Sequence, residues 1–186
     1  MPDRKTEILT RTLELVQTIG FNALSYQHLS DRLGISKASI HHHFSKKEDL
    51  CQAVLSMMKA GLEGFSEAVL SSEGSAVRKL DQFFAHSIEN CDKAIICPVT
   101  SLLSYRDKLS RENLSVLKEI TDLEVDTMAE IIRQGQQEAV FKVSGDPHAL
   151  ASMVLSASKG AMAYSRVKGS GFGRQVHSRL KAMLIG

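Results

Sequence analysis

Between Ser36 and Phe44 the chain gathers two hydroxyls, one lysine and three consecutive histidines: Ser36, Lys37, Ser39 and His41-His42-His43. A histidine run suggests a metal site, but successive helical residues diverge by roughly 100° and cannot converge on one ion. No metal and no cofactor are therefore expected here. The spacing supports a different chemistry. Ile40 and Phe44, four apart, can anchor one face of a short helix, which leaves Lys37, Ser39, His41 and His42 pointing elsewhere. Polar side chains of that length donate to phosphates or reach base edges, and Lys37 is the cation able to make a charge-assisted contact. One histidine is expected to pack inward beside Phe44. The others would face nucleic acid, where partial protonation near neutral pH adds attraction.

The flanking sequence supplies what such a helix needs. Ile8, Leu9, Thr12, Leu15, Val16 and Ile19 recur at helical spacing from about Arg4 to Ile19, and Gly20 closes that helix. A second helix within Asn22 to Gly34 is capped by Ser25 and carries Leu29 and Leu33. The Gly34-Ile35-Ser36 turn then combines a residue tolerant of positive φ with an N-capping hydroxyl. Three short helices, the last two joined by a tight glycine turn, are the recipe for a helix-turn-helix.

Ser45-Lys46-Lys47-Glu48 reads as a capping box that opens a long helix to about Leu70, followed by a polar loop over residues 71 to 75. Helices are expected over Ala76 to Cys91, briefly from Pro98, over Leu109 to Gln137, from Asp146-Pro147 to Val167, and over Phe172 to Leu184. Gly169 to Gly173 reads as a flexible break. No segment shows sustained strand alternation, so the fold class is all-α with about nine helices. The expected division is a helix-turn-helix domain over residues 1 to 50 and a larger helical domain over 51 to 186.

Composition narrows the function classes. Hydrophobic residues make up 43% of the 186, enough for a packed core. No run of eighteen apolar residues suits a membrane helix, and the charged N-terminus does not read as a signal peptide, so a cytoplasmic location is expected. Cys51, Cys91 and Cys97 lack paired CxxC spacing and read as reduced thiols. Walker, GxSxG and HExxH motifs are missing, which argues against an enzyme. Net charge is only +2, and residues 1 to 50 hold seven Lys and Arg against six Asp and Glu. Bulk charge therefore gives DNA binding little support, and a helical interaction protein without operator binding is the alternative it leaves open.

Residues 4 to 50 resemble the DNA-binding domain of the tetracycline-repressor (TetR) family. The matching text is Gly20-Phe21, Leu24-Ser25-Tyr26, Leu29-Ser30 and the continuous stretch from Leu33 through Ser36-Lys37-Ala38-Ser39-Ile40-His41-His42-His43-Phe44 to Leu50. That resemblance implies a repressor that binds a palindromic double-stranded operator as a homodimer and is released by a small effector. It implies DNA contacts from Ser36, Lys37, Ala38, Ser39, His41 and His42, with phosphate contacts from Ser25 or Tyr26 and from Lys47. The family usually carries tyrosine where His41 stands, so the operator sequence does not carry over.

For the remainder the resemblance implies an effector-binding and dimerisation domain. An apolar or aromatic effector would suit a lining of Met58, Leu62, Phe65, Phe83, Phe84, Cys97, Leu102, Tyr105, Met128 and Tyr164, with His86, Arg106 and Asn90 as polar candidates. The last two helices, 147 to 167 and 172 to 184, are the expected dimer interface, because the stripe Leu150, Met153, Val154, Ala157, Gly160, Ala161 and Tyr164 is mostly small or flexible. Cys97 reads as a small buried hydrophobe or as a reactive thiol sensing oxidants or electrophiles, although no cation stands beside it in Ala94-Ile95-Ile96-Cys97-Pro98.

Overall fold

The computed structural model describes residues 3–186, which form nine α-helices and one 3-10 turn, with no strand among the described residues. The helices are α1 (Arg4–Ile19), α2 (Tyr26–Leu33), α3 (Lys37–His43), α4 (Lys47–Ser71), α5 (Ala76–Asp92), α6 (Pro98–Leu103), α7 (Arg111–Gln137), α8 (Pro147–Lys168) and α9 (Ser170–Ile185). The 3-10 turn, Arg106–Lys108, precedes α7. Among the described residues no helix is long and apolar enough to cross a membrane. The chain divides into two compact units, an N-terminal one of residues 1–61 with 98–120 and a C-terminal one of 62–97 with 121–186.

In the N-terminal unit, Asp3 caps α1 by accepting from the Thr6 amide at 2.7 Å. Ile8, Thr12 and Val16 form its buried stripe at a spacing of four. A hydroxyl in that stripe is tolerated because Thr12 Oγ1 donates to the Ile8 carbonyl at 2.7 Å. Gly20 ends α1 with φ 80°, and the chain turns into Phe21, which is fully buried. The Phe21 amide, past the helix end and without a helical partner, donates to Ser101 Oγ of α6 at 2.8 Å.

The opening of α4 departs from the expected capping box. Asp49, not Glu48, reaches back: its carboxylate accepts from the Ser45 hydroxyl at 2.8 Å and from the Lys46 amide at 3.0 Å. The helix begins two residues after the serine, which moves the reciprocal acidic position on by one. These hydrogen bonds hold the Asp49 carboxyl below its ordinary range.

The C-terminal unit is organised around Leu80, Phe84, Met128, Ile131, Ile132, Phe141, Val154 and Leu184, all nearly or fully buried. Asp146 caps α8 through the Ala149 amide at 2.8 Å, with Pro147 in the first turn where its missing N–H costs nothing. A buried polar chain crosses from α5 to α9. The Gly173 carbonyl lies 2.8 Å from His177 Nδ1, so Nδ1 must carry the proton and Nε2 must accept. Ser158 therefore donates to Nε2 at 2.8 Å, and Ser87 donates to Ser158 at 2.8 Å. Every donor in that chain has an acceptor, and burial pushes the imidazole's pKa down toward the neutral form the geometry requires.

Two expectations for the last helices change. The break over 169 to 173 shrinks to Gly169 alone, at φ 88°, and α9 starts at Ser170. Gly173 lies inside α9 because the helix passes so near α5 that an added Cβ would sit 2.5 Å from the Cys91 side chain. The single stripe read on α8 resolves into two faces: Leu150, Val154 and Ala161 are buried, while Met153 and Tyr164 are exposed, as is Val167 beyond the stripe.

Gly135 in α7 meets a similar constraint. A methyl there would lie 2.1 Å from the Phe141 ring, and the ring cannot retreat because the Val140 and Phe141 amides both donate to the Gly135 carbonyl. Gly61 in α4 faces open space. Urea unfolding should show Gly135→Ala destabilised by about 1–3 kcal/mol through overpacking. Gly61→Ala should gain about 0.5–1 kcal/mol from helix propensity. Equal midpoints for the two variants would contradict this packing.

Candidate nucleic-acid interface

The three helices that carry the interface are set by their ends. Ser25 accepts from the His28 amide at 3.3 Å while His28 Nδ1 accepts from the Ser25 amide at 3.3 Å, a capping box with histidine in the acidic residue's place. Gly34 closes α2 in the left-handed region at φ 66°. Across the turn, Ser30 Oγ donates to the Ile35 carbonyl at 2.6 Å, and Ser36 caps α3 by accepting from the Ser39 amide at 3.1 Å. The turn from α2 into α3 is thus held by side chains that the local sequence provides.

Ile40 and Phe44 are buried and attach α3 to its unit. Ser36, Lys37, Ala38, His41 and His42 are exposed, and Ser39 and His43 are partly buried. His43 is the histidine that turns inward. Lys37 makes no ion pair or hydrogen bond among the described residues, so its ammonium is available to an incoming anion. His41 Nδ1 lies 3.3 Å from the Ser45 carbonyl, which requires a proton on Nδ1. No group of three metal-ligating side chains occurs among the described residues.

Two residues expected at phosphates have internal partners. Tyr26 donates its hydroxyl to the Phe44 carbonyl at 2.9 Å, tying the start of α2 to the end of α3, and its ring meets the His41 ring edge-on at 4.5 Å. Burial, with Asp49 adding to it, pushes the Tyr26 hydroxyl up to about 12. Lys47 donates to the Leu24 carbonyl at 2.7 Å and the Asn22 carbonyl at 3.3 Å. Its ammonium also lies over the Phe21 and Tyr105 rings at 4.8 and 5.2 Å. Burial first, and then nearby Lys108, holds that ammonium below its ordinary range.

The residues suggested for an effector lining fall in different places. Met58, Leu102, Tyr105 and Arg106 belong to the N-terminal unit. There Leu102 is fully buried, Tyr105 meets Phe21 edge-on at 5.1 Å, and Arg106 is exposed beside Asp107. Leu62, Phe65, Phe83, Phe84, His86, Cys97, Met128 and Tyr164 belong to the C-terminal unit. Phe65 comes together with Phe83 at 5.7 Å and with His86 at 6.5 Å. Phe84 and Met128 lie in the core, whereas Tyr164 is 61% exposed and stacks on Phe172 at 5.8 Å.

Sequence reasoning missed one group in this unit. Lys159 of α8 places Nζ 3.7 Å from Cys97 Sγ and 2.8 Å from Glu124 Oε1 of α7. Lys159 stands 62 residues from Cys97, and nothing local in the chain pairs the two.

Residues 8–54 match the family model described as bacterial regulatory proteins, tetR family. The chain is 28% identical over 108 residues to the HTH-type transcriptional repressor KstR2 of Mycolicibacterium smegmatis, a match covering 58% of this chain and 51%, about half, of that protein. It is 20% identical over 187 residues to the KstR2 repressor of Mycobacterium tuberculosis, covering 98% and 92% of the two chains. The fold matches the crystal structure of a TetR family transcriptional regulator from Agrobacterium tumefaciens with a TM-score of 0.90 at 20% identity, over 98% of this chain and 97% of that one. The N-terminal helices are therefore similar to those of the tetR family of bacterial regulatory proteins, and the fold of the whole chain is that of solved TetR-type regulators.

Proposed function

We propose that the chain is a ligand-responsive repressor that binds a palindromic operator as a homodimer and is released by a small apolar or aromatic effector. The observation that carries DNA recognition is the division of α3: Ile40 and Phe44 buried, Ser36, Lys37, Ala38, His41 and His42 outward. Ser36, Lys37 and Ala38 sit at the start of α3, where a recognition helix meets base edges, and Lys37 supplies the charge. Ser25 and the first amides of α4 around Lys47 flank it as phosphate-facing groups. Tyr26 supports this face from behind. In this reading residues 1 to 50 recognise DNA, and residues 51 to 186 hold the effector and the partner chain.

The exposed face of α8 and α9 supports the dimer. Met153, Tyr164 and Val167 on α8 are 59%, 61% and 88% exposed, and Met183 on α9 is 41% exposed. Large apolar side chains at helical spacing on two neighbouring helices suit a symmetric four-helix contact with a second copy. Phe65, Phe83 and His86 are the aromatic group offered to an effector.

Operator binding measured against salt tests the recognition face, using a duplex selected from a random-sequence pool. Lys37→Ala, which removes one cation from each of the two protomers, should weaken binding at least about tenfold and reduce the log–log salt slope by about 2. Lys47→Ala should lower thermal stability and leave the slope near wild type, because its ammonium is held by carbonyls. A Lys37→Ala protein with unchanged affinity and slope would refute the docking. For the dimer, sedimentation should show wild type as a dimer and the Tyr164→Glu/Val167→Glu protein as a monomer. A double variant that still sediments as the wild type does would remove this face from the interface.

A further inference from the structure

The three thiols of this chain sit in different surroundings. Cys51 is 1% exposed, and burial pushes its thiol up to about 12. Cys91 is fully buried, is packed against Gly173, and is also pushed up by burial. Cys97 keeps 9% of its surface and has Lys159 Nζ at 3.7 Å. Lys159 is in turn held by Glu124 at 2.8 Å, in an ion pair whose side chains are 22% and 16% exposed. Burial works against the Lys159 charge, but Cys97 and Glu124 outweigh it, so the ammonium is held above its ordinary range. A sheltered ion pair is costly to build, and Glu124 occupies one of the three N–H donors of the ammonium. The added contact is with sulfur, the one nucleophile in the group.

We propose that Cys97, with Lys159 as proton donor and Glu124 as the residue that positions Lys159, is a covalent sensing site for soft carbon electrophiles of the α,β-unsaturated carbonyl class. The proposal rests on the reading of the chain as a regulator. The thiol gives up its proton to solvent, and its sulfur forms a bond to the β-carbon. The C=C π pair moves toward the carbonyl as an enolate, and the Lys159 ammonium protonates the α-carbon. Lys159 then regains a proton from solvent. The sum is addition of S–H across C=C, and no oxidant or reductant is needed. An ammonium at this distance stabilises both the charge developing on sulfur and the enolate that follows. The adduct adds bulk where the chain enters α6, the helix whose Ser101 holds the Phe21 amide at 2.8 Å. Loss of operator affinity is the expected output.

Methyl vinyl ketone serves as the probe on the reduced full-length protein, with adduct formation at each cysteine followed by peptide mass spectrometry. Cys97 should react at least about tenfold faster than Cys51 and Cys91, and Lys159→Met should slow it about tenfold. Because Lys159→Met leaves Glu124 unpaired in a sheltered place, the Lys159→Met/Glu124→Leu pair is measured beside it, and both are checked for cooperative unfolding. In denaturant the three thiols should react alike. Faster labelling of Cys51 or Cys91 in the folded protein, or a Cys97 rate unchanged in both folded variants, would overturn the proposal. In the functional arm, the alkylated protein should bind the selected operator about tenfold more weakly, and Cys97→Ser should be insensitive to the probe. Wild type that binds operator equally well before and after alkylation would defeat sensing and leave the regulator reading intact. Protein that selects no operator from the pool would defeat the regulator reading, and the labelling rates would still decide the chemistry at Cys97.

Discussion

A seven-residue helix cannot sustain itself in water, and α3, Lys37–His43, is such a helix. It exists because Ile40 and Phe44 are buried, because Ser36 satisfies the Ser39 amide, and because Tyr26 donates to the Phe44 carbonyl at its far end. These attachments occupy one side and both termini, so the remaining side is left outward by construction. A longer α3 would need more anchors and would surrender part of that outward side. The helix is stable only because its buried pair, its Ser36 cap and Tyr26 of α2 hold it.

The cations of the same unit differ in what they touch. Its lysines are not equivalent: Lys47 is committed to the Asn22 and Leu24 carbonyls and to two aromatic rings, whereas Lys37 has no internal partner among the described residues. Counting charges treats the two alike, and the geometry does not. Lys47 and Tyr26 are engaged around Phe21 and Phe44, and Lys37, His41 and His42 are exposed. Tyr105 and Ser101, from the segment after Cys97, pack against Phe21, so α6 and the turn after it are part of the structure that holds the end of α1.

The elements legible in the sequence are those fixed by near neighbours. Ser25, Gly34, Ser36 and Asp146 act within three or four residues of themselves, and each does in the structure what its type and place suggested. The helical stripe of α1 and the inward pair Ile40 and Phe44 were legible for the same reason. Where the outcome depended on a distant partner, the sequence was silent. Ser101 meeting Phe21, Lys159 meeting Cys97, and Gly173 opening room for Cys91 are contacts between remote residues with no local trace. The α8 stripe shows the intermediate case: periodicity marked apolar positions but could not say which face meets the core and which is left for another chain. The opening of α4 differed more narrowly: a Ser45–Glu48 box would close on the Ser45 amide, whereas the helix starts at Lys47 and Asp49 accepts from the Lys46 amide.

The central claim is that DNA is read by the outward side of α3, supported by the starts of α2 and α4. Amide hydrogen exchange on the full-length protein, with and without the selected operator duplex, tests it residue by residue. The account predicts that added protection concentrates over residues 25–28 and 36–49, with the helices of the C-terminal unit changed far less. Protection centred elsewhere, with residues 36–43 exchanging equally fast in both samples, would contradict it.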